Sequence, residues 1–355
     1  MNMVKYIGLD VHLASISMAV LNAAGKLMME ATVEMRAEAI LDFLQGLRGT
    51  LHVALEEGTY AEWLYELLSP HVAEVIVCDA RQLPRHKGER KSDQIDARKL
   101  AEWLRTGSLK PVYHGHTRLR ALGELVRSYL TLASDTTRVM NRLKALYRAR
   151  GMAAKGTRVY SPRFRPEWLN QLCEPGVRRR AELLYQQLDL LLPLRQQARQ
   201  AMLAESRKHP AQKILVSIPS LGPVRVAILM AVIRTPYRFR TKRQLWTYAG
   251  LSLVTRSSAD YELRNGELTR SRKPVLVLGL NVNHNHLLKA VLKDAAATSV
   301  ARGGPLQSFY RRRVEQGMRP ELARLTLARK IATLTLTLWK KGERFNAEHL
   351  NPQAA

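Results

Sequence analysis

Along the N-terminal third of the chain, apolar residues fall into short runs of period two separated by polar turns. The first, Val4-Lys5-Tyr6-Ile7-Gly8-Leu9-Asp10-Val11-His12, reads as a buried strand. Residues 15–21 alternate with period two, and Asn22-Ala23-Ala24-Gly25 supplies the turn into a third strand over residues 26–33. Helical spacing follows at about residues 36–47. A fourth strand closes at Glu56, and a helix runs through Trp63 and Leu68. Residues 75–78 make a fifth strand, and residues 93–105 carry a further helical pattern. A strand meander followed by β-α-β-α alternation predicts a mixed sheet with helices packed on it.

From residue 118 the period changes. Leu122, Leu125, Tyr129, Leu132, Val139, Leu143 and Leu146 recur at spacings of three and four, interrupted near Thr136. Leu184, Leu188, Leu191, Ala198 and Met202 do the same, so two long helices are expected to pack as an antiparallel hairpin or coiled coil. Residues 151–180, between them, are rich in Pro and Arg, with Pro162-Arg163-Phe164-Arg165-Pro166 and Arg178-Arg179-Arg180. An irregular tip is expected there. Its cations, interleaved with Tyr160, Phe164 and Trp168, suit stacking on RNA or single-stranded DNA, and a solvated helical face would explain them equally well.

Further on, Ile218-Pro219-Ser220-Leu221-Gly222-Pro223 opens an apolar helix over residues 224–233, in the manner of a phosphate-gripping helix-hairpin-helix turn. Any turn between two helices can look similar. The chain closes in two amphipathic helices at about residues 306–315 and 319–340, the first bearing Arg311, Arg312 and Arg313. The expected fold class is α/β plus α. Three domains are expected: a catalytic sheet domain over 1–112, a coiled-coil domain with a basic tip over 113–210, and a mainly helical domain over 211–355.

The charge sharpens this division. The net charge is +27, yet residues 1–112 carry 13 Lys and Arg against 15 Asp and Glu, and the remainder 44 against 15. A near-neutral front and a strongly basic back fit a metal-binding catalytic domain followed by segments that grip nucleic acid. Cys78 and Cys173 stand far apart and read as two reduced thiols. No apolar stretch is long enough to span a bilayer, and the N-terminus enters a strand at once, so a cytoplasmic, nucleoid-associated protein without membrane contact is expected.

The chemistry lies in four carboxylates. Asp10 interrupts an apolar strand, where a charge is costly unless a cation compensates it. Glu56 or its neighbour Glu57 ends the fourth strand, and strand alternation sends the two to opposite faces. Asp93 and Asp96 share one helix face at i and i+3, as metal ligands or as an acidic pair favoured by the helix dipole. Converging, such groups would hold Mg2+ or Mn2+ in an RNase H-like layout that cuts phosphodiesters.

The runs Gly8-Leu9-Asp10-Val11-His12, Val53-Ala54-Leu55-Glu56 and Lys91-Ser92-Asp93-Gln94-Ile95-Asp96-Ala97 resemble the DEDD transposases of bacterial insertion sequences, the IS110 family with its eleven-eleven subgroup. Ile218 to Pro223, Tyr248-Ala249-Gly250-Leu251 with Ser257-Ser258, and Phe309-Tyr310 with Gly317 and Ala328-Arg329-Lys330 resemble its later motifs, in the right order. The sequence departs from the family's pattern at Leu253, Ala259-Asp260 and residues 271–276.

The resemblance implies a RuvC-like domain whose metal ligands are Asp10, Glu56, Asp93 and Asp96, joined through a coiled coil to a second catalytic domain. There Ser258 would be the nucleophile, with Ser257 as its rival. It also implies donor and target DNA, a structured guide RNA encoded by the element, and self-association as a dimer or tetramer with composite sites. Two other readings remain at this level: a metal-only junction nuclease, and a non-catalytic RNA-binding protein.

Overall fold

The alternating runs build a five-stranded sheet of order β3-β2-β1-β4-β5. Strands β1 (Val4–Val11), β2 (Ser15–Asn22) and β3 (Leu27–Glu34) form the antiparallel meander. β4 (Thr50–Glu56) lies parallel to β1, and β5 (Glu74–Cys78) parallel to β4. One face carries Ile7, Leu9, Val53 and Leu55, packed with Ile40 and Leu44 of α1 (Ala37–Gln45) and Leu64 and Leu68 of α2 (Ala61–Leu68). The other face is covered by α3 (Asp93–Arg105), whose Leu100 and Leu104 meet Ala54 and Cys78. This mixed sheet between helices is compatible with an RNase H-like domain. The computed structural model describes residues 3–79, 92–114, 119–256, 261–264, 267–270 and 276–350, in two compact units, 1–116 and 117–355.

Gly8 sets the height of α3 above the sheet. A Cβ at this position would fall 2.0 Å from the Ala97 carbonyl oxygen and 2.6 Å from the Ala101 nitrogen, so backbone packs directly on backbone. A second tie comes from Arg98 of α3, which donates two hydrogen bonds to the Glu30 carboxylate of β3, one of them 2.5 Å long, and holds that carboxyl below its usual range. Because the clash is with backbone, no side-chain rotation relieves it, and α3 must lift. Gly8→Ala is therefore expected to cost about 3 kcal/mol or more, at the upper end of overpacking penalties. Thermal denaturation checks this; an unchanged midpoint would refute the packing argument.

In the second unit, α4 (Arg120–Arg148) and α6 (Pro175–Arg207) pack as a hairpin with a separate core at each end. At the tip, Val139, Leu143 and Tyr147 meet Ala181, Tyr185 and Leu188. There the Tyr147 and Tyr185 hydroxyls lie 3.1 Å apart, and Tyr185 donates to the Val159 carbonyl at 3.0 Å. At the base, Leu122, Val126, Met202 and Leu203 join the core of the C-terminal helices. The hairpin and residues 211–355, expected as separate domains, thus share a core within one unit. The tip contains two single-turn helices and α5 (Arg165–Asn170). Arg178, Arg179 and Arg180 lie outside it, within α6, because Pro175 starts that helix with a φ already suited to its first turn.

The C-terminal part is helical: α7 (Pro210–Leu215), α8 (Pro223–Ile233), α9 (Lys242–Tyr248), α10 (His286–Arg302), α11 (Pro305–Glu315) and α12 (Pro320–Lys341). It also holds two antiparallel ribbons that the sequence pattern did not predict. β6 (Leu253–Arg256) pairs with β9 (Leu276–Leu280), and β7 (Tyr261–Arg264) with β8 (Glu267–Arg270). Among the described residues no helix is long and apolar enough to cross a membrane.

Candidate active site

The acidic cluster arises where β1 ends beneath the start of α3. Period-two alternation puts Asp10 on the same face as Gly8, the face that α3 covers. Ser92 caps α3, its hydroxyl accepting from the Ile95 N–H at 3.3 Å, so Asp93 and Asp96 fall in the helix's first turn. His12, two residues past Asp10, completes the group. Its Nε2 lies 3.1 Å from Asp10 Oδ2 and 3.3 Å from Asp93 Oδ2. One ligand atom each from Asp10, His12 and Asp93 lies within 4.8 Å of the others.

Burial pushes the Asp10 carboxyl above its ordinary range. His12 opposes that shift, and the charges of Asp93 and Asp96 add to it. Asp96 stands outside the tight group, with Lys99 Nζ 3.9 Å away. Glu56 reaches Asp10 by register: the parallel pair Leu9 and Leu55 brings the next residues side by side, and both line a cleft of about 340 Å3 together with His12. Glu57 also reaches this cleft but accepts from His114 Nε2 at 2.6 Å.

Three of the four predicted carboxylates are thus linked by geometry or field, and the fourth opens on the same cleft. His12 is the group that sequence reasoning passed over. A buried Asp10 carboxylate with the charges of Asp93 and Asp96 beside it fits a divalent cation, which would offset the desolvation and the repulsion. The His12 nitrogen suits Mn2+ as well.

Ser257 and Ser258 fall outside the described residues. The segment before them is tightly held. Gly250 has φ +64, and a Cβ there would lie 2.4 Å from the His284 ring. Arg329 Nε donates to the Leu251 carbonyl at 2.7 Å, and Trp246 Nε1 to the Arg329 carbonyl at 3.1 Å. Burial lowers the pKa of Arg329, and burial together with Lys242 lowers that of Lys330.

The predicted nucleic-acid contacts divide. Arg163 lies with Arg158 over the Phe164 ring, at 5.6 and 4.1 Å. Arg165 turns inward instead, pairing with both oxygens of Asp189 at 2.6 Å and stacking on Tyr185 at 4.7 Å. Arg178 and Arg179 reach Glu182, and Arg180 is exposed. On α11, Arg311 and Arg312 are exposed, while Arg313 covers the Phe309 ring at 5.4 Å.

Comparison with known proteins agrees with this geometry. Residues 7–149 match the DEDD transposase family of the IS110 type, described as a transposase. Residues 212–277 match the transposase IS116/IS110/IS902 family. A relative from Streptomyces clavuligerus, the insertion element IS116 uncharacterized 44.8 kDa protein, is 24% identical over 324 residues, spanning 77% of this chain and 78% of the relative. DEDD transposase domains generally use divalent metals. With both domains present in that order, the chain is a DNA transposase of the IS110/IS116 insertion-sequence type.

Proposed function

We propose that this transposase cuts and rejoins DNA with divalent cations held by Asp10, Glu56, Asp93 and Asp96, and with Ser258 as nucleophile. The observation that carries the reading is the gathering of Asp10, His12 and Asp93 within 4.8 Å, with Glu56 on the same cleft. Bound there, Mg2+ or Mn2+ would supply charge stabilisation for the attacking and leaving oxygens. The Ser258 hydroxyl attacks phosphorus and gives up its proton. The DNA hydroxyl leaves, and a protein–DNA ester keeps the bond energy for the reverse step with a new strand.

A structured RNA encoded by the element chooses donor and target by base pairing, and the protein assembles as a dimer or tetramer. The charge supports this division of labour. A surplus of 44 basic over 15 acidic residues beyond position 112 grips phosphates without reading bases. The test uses purified protein with DNA of the element's ends, RNA transcribed from the flanking region, and Mg2+. Joined products are expected, disappearing on chelation and returning when Mg2+ is restored. Joined products that persist after chelation would sink the metal assignment, and equal yields without RNA would sink the guide.

A further inference from the structure

His12 stands among the carboxylates of the proposed metal site, and no step there uses it. It follows β1 directly, where its backbone N–H donates to the Ser15 carbonyl at 2.9 Å and fixes the turn into β2. From this anchored position the ring meets two elements. Nε2 lies 3.1 Å from Asp10 Oδ2 on β1 and 3.3 Å from Asp93 Oδ2 on α3. The side chain is 45% exposed and lines the cleft of about 340 Å3 together with Asp10 and Glu56, so an ion in that cleft can reach it.

A hydrogen bond explains only half of this arrangement. A ring nitrogen carries one hydrogen and donates it along one line, which accounts for Asp10 and leaves Asp93. The spacings are also those of neighbouring ligands on a shared ion. Donors about 2.1 Å from an octahedral ion stand about 3 Å apart along each edge of its coordination shell. Nε2 makes two such edges, one with each carboxylate.

The donor type then selects among ions. Imidazole nitrogen suits first-row transition ions, whereas Mg2+ keeps to oxygen ligands and sheds its water reluctantly. A ligating imidazole is neutral, so it adds no negative charge where Asp93 and Asp96 already act against ionised Asp10. We propose that His12 ligates the bound ion through Nε2, and that this nitrogen makes the site prefer Mn2+ to Mg2+. The inference rests on the metal reading above and adds to it a ligand and a preference.

The experiment loads the full-length protein with Mn2+ and applies electron spin-echo envelope modulation, which detects nitrogen bonded to the metal. The parent is expected to show nitrogen modulation that changes when its histidines carry a nitrogen isotope label. Asp10→Ala should weaken Mn2+ binding, which ties the ion to this cleft. His12→Ala should lose the modulation and bind Mn2+ roughly 10-fold more weakly or worse, since even an outer-shell partner is worth that much. Its affinity for Mg2+ should fall by a smaller factor. A merely structural role would weaken both ions alike.

Mn2+ that binds in dependence on Asp10 without nitrogen modulation overturns the inference and leaves the carboxylate site standing. Modulation that survives in His12→Ala also overturns it, because another nitrogen then supplies the signal. An unchanged ratio of Mn2+ to Mg2+ affinity in His12→Ala overturns the preference. Mn2+ binding that is absent, or indifferent to Asp10→Ala, overturns both the inference and the metal assignment.

Discussion

Asp10→Ala is expected to lower DNA strand cleavage by about 100-fold or more, since loss of even an outer-shell partner of a metal costs about 10–100-fold. Asp93→Ala, Glu56→Ala and Asp96→Ala should do the same. His12→Ala should be milder, because it removes the nitrogen donor and leaves every carboxylate in place. Binding to DNA should survive in all of them, since the basic surplus lies beyond residue 112.

A stability measurement separates this loss from misfolding. The folded-state pKa of Asp10 is raised, chiefly by burial, so its ionised form opposes folding. That opposition is present above the folded pKa and vanishes as pH falls below the unfolded value. Without divalent ions at neutral pH, Asp10→Ala should therefore melt at or above the parent. At acid pH, where the carboxyl is protonated in both states, the difference should close. Full cleavage by Asp10→Ala would remove the cluster from the mechanism.

Ser258→Ala is expected to eliminate both strand joining and any covalent protein–DNA adduct, because in the proposed reaction the Ser258 ester is what carries the phosphodiester's energy to the new strand. Nicked or suicide DNA should trap the parent as a species stable on a denaturing gel, and peptide mapping should assign it to Ser258. Ser257→Ala should retain most joining, since adjacent side chains in a loop seldom share one direction. An adduct mapping to Ser257 would shift the nucleophile by one residue. Normal cleavage by Ser258→Ala with no adduct in the parent would favour the metal-only nuclease.

The N-terminal unit was legible because its strands are short apolar runs, buried between helices on both faces and set apart by polar turns. The expected helix over 93–105 coincides with α3, since Ser92 caps it. Register did the rest: once β1 and β4 are parallel neighbours, Asp10 and Glu56 adjoin. His12 follows the same period-two rule, yet a histidine at a strand's end reads as turn chemistry.

Ribbon β6–β9 escaped notice because Leu253, Val254, Leu276, Val277 and Leu278 are all exposed, leaving no buried face to impose a period. α10 buries Leu288, Val291, Leu292, Ala295 and Ala296, a correct helical spacing blurred by small residues. The inward turn of Arg165 depends on Asp189, a partner 24 residues away that no local pattern reveals.

The two-core hairpin has a consequence for reach. Between its cores, residues 127–138 of α4 bury only Thr136, and residues 189–201 of α6 bury nothing and include Pro193. Proline there removes a backbone hydrogen bond from the helix. This waist ties neither end to the other by packing, so the tip should exchange its amide hydrogens as a cooperative unit of its own. Matched turns added or removed at the waist would lengthen or shorten the arm without disturbing either core. Arm length can thus drift between related elements, independently of the groups that the arm carries at its two ends.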